Sequence, residues 1–279
     1  MSSFSDLCSQ LWPFDAAARL NPFSPSFEAV IEGHQFSRTV LDPASIAIAN
    51  WNIAKNNHLD EWLTEAEAIA QRYDPDLFFL QEVRIASPEQ APVPFAEHGW
   101  HFAPNLRDAR TRHAFGVLTA AKVQHLDHQH LHTQHYEPVF NTPKVALITE
   151  YPLMTRGQSL VTVNVHGLNF VDNGKFQAQL QQLADHIQHH AGPMIVAGDF
   201  NTWNGERMRL LRSRMTSLGL TQVQFAREHD RRLKRFLWSD PLDHVFYRGL
   251  AVRSGSARVL HTLKSSDHVP MVVEFYVLA

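Results

Sequence analysis

The chain has 279 residues and a single cysteine, Cys8, which excludes an intramolecular disulfide and leaves the redox compartment unspecified. The lack of cysteine pairs also argues against a structural zinc site. No window approaches the roughly 18 consecutive apolar residues of a membrane helix. Residues 1–30 lack a basic start and a continuous apolar stretch, because Asp6, Asp15, Arg19 and Glu28 interrupt them. No signal peptide is therefore expected, and the expected compartment is the cytoplasm. No Gly- or Ser-rich linker divides the chain, and no repeat at the scale of roughly 20 to 50 residues is evident. Net charge is only −3, with an isoelectric point near 6.6, so the overall balance demands neither nucleic acid nor an anionic membrane as partner.

Apolar residues are plentiful, at 44% of the chain, ample for a sizeable core. Residues 1–44 read as an irregular leader punctuated by Pro13, Pro22, Pro25 and Pro43, with Phe4, Trp12, Phe14, Phe23 and Phe27 available for docking. It is expected to pack on one domain spanning residues 45–279. Charge is uneven: Gly205 to Arg235 carries nine Arg or Lys against three acids, +6, which leaves −9 on the rest. The plainer expectation is a solvated helix face plus a basic loop; the sharper one is a landing strip for a phosphate-bearing substrate.

Apolar runs predict strands at 46–53, 76–83, 114–119, 144–151, 160–166, 194–199, 242–247, 251–260 and 271–277. Helices are predicted from a cap at Asp60 to the Asp74-Pro75 pair, over 173–190 and over 206–218. This mixture indicates a layered α/β or α+β architecture. The most informative run is Met194-Ile-Val-Ala-Gly-Asp199-Phe-Asn201, a buried strand that stops at a glycine and then offers a carboxylate and a carboxamide. Alternation along extended backbone would point Asp199 and Asn201 the same way, and a buried strand has no cheap place for an unpaired carboxylate. Other runs end similarly, at Asn52, Glu82 and His166. Near the C-terminus stand Leu242-Asp243-His244 and Ser265-Ser-Asp267-His268. Together these residues supply a hard-oxygen ligand for Mg²⁺ or Mn²⁺ in Glu82, and groups that can hold a water in Asp199 and Asn201. They also supply an imidazole, His268, that an aspartate can orient. That is equipment for metal-assisted hydrolysis of a phosphate ester.

Trp51-Asn52-Ile, Leu80-Gln81-Glu82-Val, Asn164-Val-His166, Gly198-Asp199-Phe-Asn201, Leu242-Asp243-His-Val-Phe and Ser266-Asp267-His268-Val-Pro occur in that order. The set resembles the endonuclease/exonuclease/phosphatase superfamily, with its DNase I-like fold, and is most similar to bacterial members. The resemblance implies a four-layer α/β sandwich, two mixed β-sheets packed face to face and flanked by helices. It implies a divalent ion (Mg²⁺, or Mn²⁺) on Glu82 assisted by Asn52 and Asp267, with the number of ions left open. It further implies His268 at the scissile phosphate or in acid/base catalysis, oriented by Asp243, Asp199 on the attacking water, and Asn201 and His166 on phosphoryl oxygens. The implied activity is phosphodiester hydrolysis, with nucleic acid the leading substrate class and Trp203 available to stack on a base. A phospholipid or phosphoinositide hydrolase, which would need an exposed apolar rim, is the alternative. A catalytically inactive binding module is the third reading. The Tyr-centred motif usual in DNA-repair members has only Tyr136 and Tyr151 as weak counterparts. Lys144 reads as an exposed strand lysine that a substrate phosphate would suit.

His125, His128, His130, His132 and His135 crowd into eleven residues. His128, His130 and His132 would share one strand face at a spacing that suits a transition metal. A surface strand or loop is the plainer expectation.

Overall fold

A computed structural model of the chain describes residues 22–87, 96–138, 141–155, 157–236 and 239–278. Its strands are β1 (Phe23–Pro25), β2 (Ile31–Gly33), β3 (Ile46–Asn52), β4 (Leu77–Ile85), β5 (Gly99–Asp108), β6 (Ala114–Ala121), β7 (Asp127–His132), β8 (Val145–Pro152), β9 (Ser159–His166), β10 (Met194–Asp199), β11 (Thr221–Gln222), β12 (Asp243–Arg248), β13 (Leu250–Val252), β14 (Arg258–Val259) and β15 (Met271–Val277). The α-helices are α1 (Leu59–Tyr73), α2 (Asn173–Ile187), α3 (Gly205–Ser217) and the short α4 (Arg227–Asp230).

The strands form two mixed sheets. One has nine strands in the order β1-β5-β6-β4-β3-β15-β13, with β2 also on β5 and β14 also on β15. The other has six, ordered β11-β12-β10-β9-β8-β7. Their inner faces share one core, in which Ile48, Leu77 and Phe79 of the first sheet meet Leu160, Ile195 and Val245 of the second. On the outside, α1 covers the first sheet through Trp62, Ala66 and Ile69. The second sheet is covered by α2 and α3 through Phe176, Leu180, Leu183, Leu211 and Met215. Each helix has one apolar stripe and each sheet two apolar faces, so a helix–sheet–sheet–helix sandwich buries them all.

Each sheet contains one parallel pair, β3 with β4 and β9 with β10. A parallel pair needs a crossover, and α1 and α2 supply these. Two βαβ units therefore stand in different sheets with their carboxyl strand ends opening on one edge. Helix starts differ from expectation in one respect: His58 occupies the N-cap of α1 and Asp60 lies in its first turn. Asp74 closes α1 in a left-handed conformation (φ 45°). In α2 and α3 the caps are side-chain ones, with Asp172 and Asn204 accepting from the backbone N–H of Lys175 and Arg207, the usual remedy for unpaired first-turn donors.

The sequence expectations need three corrections. The 251–260 strand is two short strands, β13 and β14, separated by a turn with Gly255 at φ 74°. Residues 22–44 are not wholly irregular, because β1 and β2 pair antiparallel with β5; the part of the leader before residue 22 lies outside the described residues. β5 is absent from the predicted strands, and it carries Pro104, a residue usually kept out of strand interiors. The proline is tolerated beside a bulge, where the β5–β6 register shifts between Pro104 and Leu106.

Two features generate stability predictions. Gly198 stands at φ 150°, and a Cβ there would lie 1.9 Å from the Val165 carbonyl oxygen. Gly198→Ala is expected to cost about 2–4 kcal/mol through clash and backbone strain; an unchanged urea midpoint would refute the close approach of β9 and β10. Separately, burial lowers His98 to about 4 and His244 to about 3. Both folded values lie below the unfolded one, so the unfolded chain binds more protons below pH about 6.5. The contribution of these two rings is complete above that pH and is lost as the pH falls toward 4. Imidazole resonances of His98 and His244 that titrate between pH 7.5 and pH 5 would show that burial does not hold the two rings neutral.

Candidate active site

The strand ends explain why so many polar side chains meet. In the six-stranded sheet, Asp199 at the end of β10 is in register with His166 at the end of β9 and with Asp243 at the start of β12. In the nine-stranded sheet, Asn52 ends β3 beside Gln81 of β4. The loop before β15 then brings Asp267 and His268 to the same edge. Trp51 Nε1 donates to the His268 carbonyl (3.0 Å), and Ser266 Oγ donates to the Asn52 carbonyl (2.6 Å) and accepts from His268 N (3.1 Å). Glu65 of α1 holds the loop from outside, accepting from Lys264 N, Ser265 N and Ser265 Oγ.

Glu82 reaches the site by a different device. Between Leu80 and Val83 the β4–β6 register shifts by one residue, and Glu82 takes φ 53°. Such a bulge re-aims a side chain that strict alternation would have placed elsewhere. The carboxylate then points into the cleft, with Asn52 Nδ2 at 3.5 Å, His166 Nε2 at 3.7 Å and Lys55 Nζ at 3.9 Å. None of these contacts is a short hydrogen bond, so Glu82 retains acceptor capacity toward the cleft. A hard-oxygen donor in that condition fits a divalent cation of the Mg²⁺ or Mn²⁺ type.

Asn52 makes the principal tie between sheets. Its Nδ2 donates to Asp199 Oδ2 (3.0 Å) while its Oδ1 accepts from Ala54 N (3.1 Å). The amide nitrogen thus faces two carboxylates and fixes them. Asp199, 2% exposed, also accepts from Asn201 N at 2.9 Å. Asn201 lies beyond the strand at φ 53°, so a left-handed turn, not strand alternation, brings it beside Asp199. One of its amide hydrogens goes to the Gly167 carbonyl (2.9 Å).

His268 Nδ1 lies 2.7 Å from Asp243 Oδ2, and its Nε2 lies 3.9 Å from Asp199 Oδ2. Burial disfavours the imidazolium, but Asp243 and then Asp199 outweigh it and hold His268 well above its ordinary value, so the ring is cationic at neutral pH. Asp199 is raised, first by burial, against the opposing attraction of His268. His166 is held well below its usual range by burial and by Lys144, and is neutral. Asp267 sits at the rim, 63% exposed, where Lys234 Nζ donates to it at 2.7 Å. Asp267 lines the same cleft as Asp199 and His268.

Glu82, His166, Asp199, Asn201, Asp267 and His268 open on a cleft of about 760 Å³. Lys55, Lys144, Lys234 and Lys264 line it, and so do Phe170 and Phe236, which are 69% and 58% exposed. A second depression of about 720 Å³ also holds charged groups, but its Arg38 and Arg253 are paired with Asp76 and Glu274. Lys144 is not the exposed strand lysine expected: it lines the cleft, 13% exposed, 3.4 Å from Glu137. No tyrosine lines the cleft among the described residues, and Tyr151 is wholly buried in the inter-sheet core.

Four of the nine basic residues in the +6 segment are spent on internal partners. Arg207 is fully buried, and its guanidinium donates to the carbonyls of Leu168 (2.7 Å), Val171 (2.8 Å) and Asn201 (2.9 Å). Phe176 and Trp203 each lie 4.6 Å from it. Trp203 therefore packs on Arg207 and does not line the cleft. Arg209 pairs with Glu206, Arg235 with Asp230, and Lys234 with Asp267. His244, for which the sequence suggested no role, is buried between Thr202 Oγ1 (2.8 Å) and Gln222 Nε2 (3.0 Å).

Arg207 is the positioning residue that sequence reasoning missed, because an arginine in a basic helix reads as solvated. It clamps the loops that carry Asn201 and Phe170. Arg207→Met keeps the bulk but leaves three carbonyls unpaired, and is expected to cost at least about 3 kcal/mol. Faster hydrogen exchange over residues 167–171 and 200–204 should accompany it; unchanged stability and exchange would remove the clamp.

Residues 49–268 match the Endonuclease/Exonuclease/phosphatase family. The chain is 36% identical over 233 residues to a UPF0294 protein of Vibrio cholerae, covering 82% of this chain and 76% of that one. It is 35% identical over 232 residues to a UPF0294 protein of Klebsiella pneumoniae, covering 82% of each. Among solved structures, the endonuclease/exonuclease/phosphatase from Bacteroides vulgatus superposes with a TM-score of 0.63 at 15% identity, over 84% of this chain and all of that one. The catalytic domain of human Nocturnin superposes with a TM-score of 0.60 at 18% identity, over 86% and 97% of the two chains. At these identities the superpositions show the DNase I-like fold alone.

Proposed function

The chain belongs to the endonuclease/exonuclease/phosphatase family, and on that premise we propose that its cleft hydrolyses a phosphodiester with a divalent cation, nucleic acid being the substrate class. The observation that carries this is the convergence of Glu82, Asp199 and His268, the last held by Asp243, on one cleft from both sheets.

Glu82 would hold Mg²⁺ or Mn²⁺, with the Asn52 amide fixing its carboxylate and Asp267 available from the rim. A cation there would draw charge from a phosphoryl oxygen and stabilise the transition state. The remaining work falls to this chain's own groups. Asp199, raised toward neutrality by burial, has the basicity to accept a proton from an attacking water. His268, cationic between two aspartates, presents Nε2 to the phosphate, and Asp243 fixes the ring by taking up Nδ1–H. Asn201 has a second amide hydrogen for a phosphoryl oxygen, and neutral His166 stands beside Glu82 for the same purpose. Four lysines line the cleft and counter substrate charge, and the exposed rings of Phe170 and Phe236 offer stacking faces.

The same two rings support a second reading, a phospholipid or phosphoinositide substrate, because they form the exposed apolar rim such an enzyme needs. A panel of single- and double-stranded DNA, RNA, sphingomyelin and phosphoinositides with Mg²⁺ discriminates. Nucleic acid should be turned over, and its binding should weaken steeply with salt; turnover of lipid vesicles alone would establish the second reading. His268→Ala is expected to lower kcat/KM by about 10² to 10⁴-fold, and Glu82→Gln should abolish the Mg²⁺ requirement together with turnover. Activity that survives both substitutions would sink the site, and a chain that neither binds Mg²⁺ nor cleaves any substrate would be a binding module.

A further inference from the structure

The histidine-rich segment acquires partners that its sequence did not reveal. β2 and β5 pair so that Glu32 stands directly across from His101. β7, the outer strand of the other sheet, and the loop before it bring His128 and His125 against the same point. Glu32 Oε1 lies 3.5 Å from His128 Nδ1, 3.7 Å from His125 Nε2 and 3.8 Å from His101 Nε2. His125 Nε2 and His128 Nδ1 are 3.0 Å apart. The donor atoms of Glu32, His125 and His128 all lie within 4.8 Å of one another.

These spacings suit a tetrahedral ion. Bonds of 2.0–2.1 Å place neighbouring ligand atoms about 3.4 Å apart, and the four measured separations bracket that value. His101 adds an independent sign. It is wholly buried, and neither of its ring nitrogens makes a hydrogen bond, a costly condition for a polar group. Three imidazoles and one carboxylate, with no thiolate, favour Zn²⁺ or a similar first-row ion over Mg²⁺ or Ca²⁺. None of the four residues lines the active-site cleft.

We propose that Glu32, His101, His125 and His128 form a second metal site, distinct from the cleft, that takes a Zn²⁺-type ion and staples the β2–β5 edge of one sheet to the β7 edge of the other. Glu32, His125 and His128 supply three mutually close ligands, and His101 Nε2, 3.8 Å from Glu32 Oε1, would supply the fourth in place of water, which makes the role structural.

The test is titration of the full untagged chain with Zn²⁺ and Co²⁺, in a Glu82→Gln background so that the cleft does not contribute. One equivalent should bind, Co²⁺ should give the visible bands of a tetrahedral site, and the melting temperature should rise with occupancy. Glu32→Gln, His125→Gln and His128→Asn, all at partly exposed positions, should each weaken binding at least about tenfold and collapse the Co²⁺ spectrum. His101→Phe keeps the buried ring and should convert the spectrum to a site with one donor replaced by water. Absence of stoichiometric uptake, or uptake and spectra indifferent to the four substitutions, would overturn the site. A spectrum unchanged in His101→Phe alone would overturn the fourth ligand.

Discussion

One side-chain amide connects the two halves of this molecule at the point where chemistry is expected. The sheets meet through apolar side chains, whose attraction is non-directional and would tolerate a small slide. Polar ties set the register instead. Asn52 donates from the first sheet to Asp199 in the second. Deeper in the interface, Gln81 Nε2 donates to Asn50 and Asn164, and Asn164 Nδ2 donates to the Leu80 and Leu118 carbonyls. A buried carboxylate such as Asp199 is tolerable only with donors in place. The bond that satisfies it is also the bond that fixes the separation of the two strand ends. Assembly of the sandwich and alignment of the site are therefore one event.

Much of this was legible in the sequence, and the reasons differ by residue. Asn52, His166 and Asp199 announced themselves because each terminates an apolar run, and termination is visible without knowing which strands are neighbours. Glu82 was visible for the same reason, but its aim was not: a bulge depends on the partner strand β6, which periodicity in one segment cannot report. Gln81 and Asn164 lie inside apolar runs and look like interruptions until the other sheet is present. Arg207 and Trp203 misled because composition assigns arginine to solvent and leaves a tryptophan near a site free to stack. The pairing of the two with each other is a tertiary fact. Glu32 and His101 carried no local signal at all, since their significance arises only when β2, β5 and β7 converge.

Electrostatics change character on folding. The +6 segment suggested a long-range field, yet four of its nine cations are matched at short range, Arg209, Arg235 and Lys234 by Glu206, Asp230 and Asp267, and Arg207 by buried carbonyls. What remains near the cleft is local: lysines from four separate segments, spread around carboxylates that the same cleft crowds together. Such an arrangement favours a ligand that enters the cleft over one that merely settles on the surface, because the attraction is concentrated where the walls exclude water.

The distribution of backbone strain supports the same conclusion from an independent direction. Nine described residues other than glycine have positive φ, and five of them, Ala54, Lys55, Glu82, Phe170 and Asn201, line the cleft. Each such conformation costs of order 1–3 kcal/mol and persists only where its surroundings over-determine it. The surroundings here are identifiable. Asn52 Oδ1 caps Ala54, the β4–β6 ladder resumes on the far side of Glu82, and Arg207 binds the carbonyls that flank Phe170 and follow Asn201. A fold selected for stability alone would relax these turns. Their concentration at one edge of an otherwise regular sandwich is the mark of a surface whose side-chain directions matter more than its backbone energy.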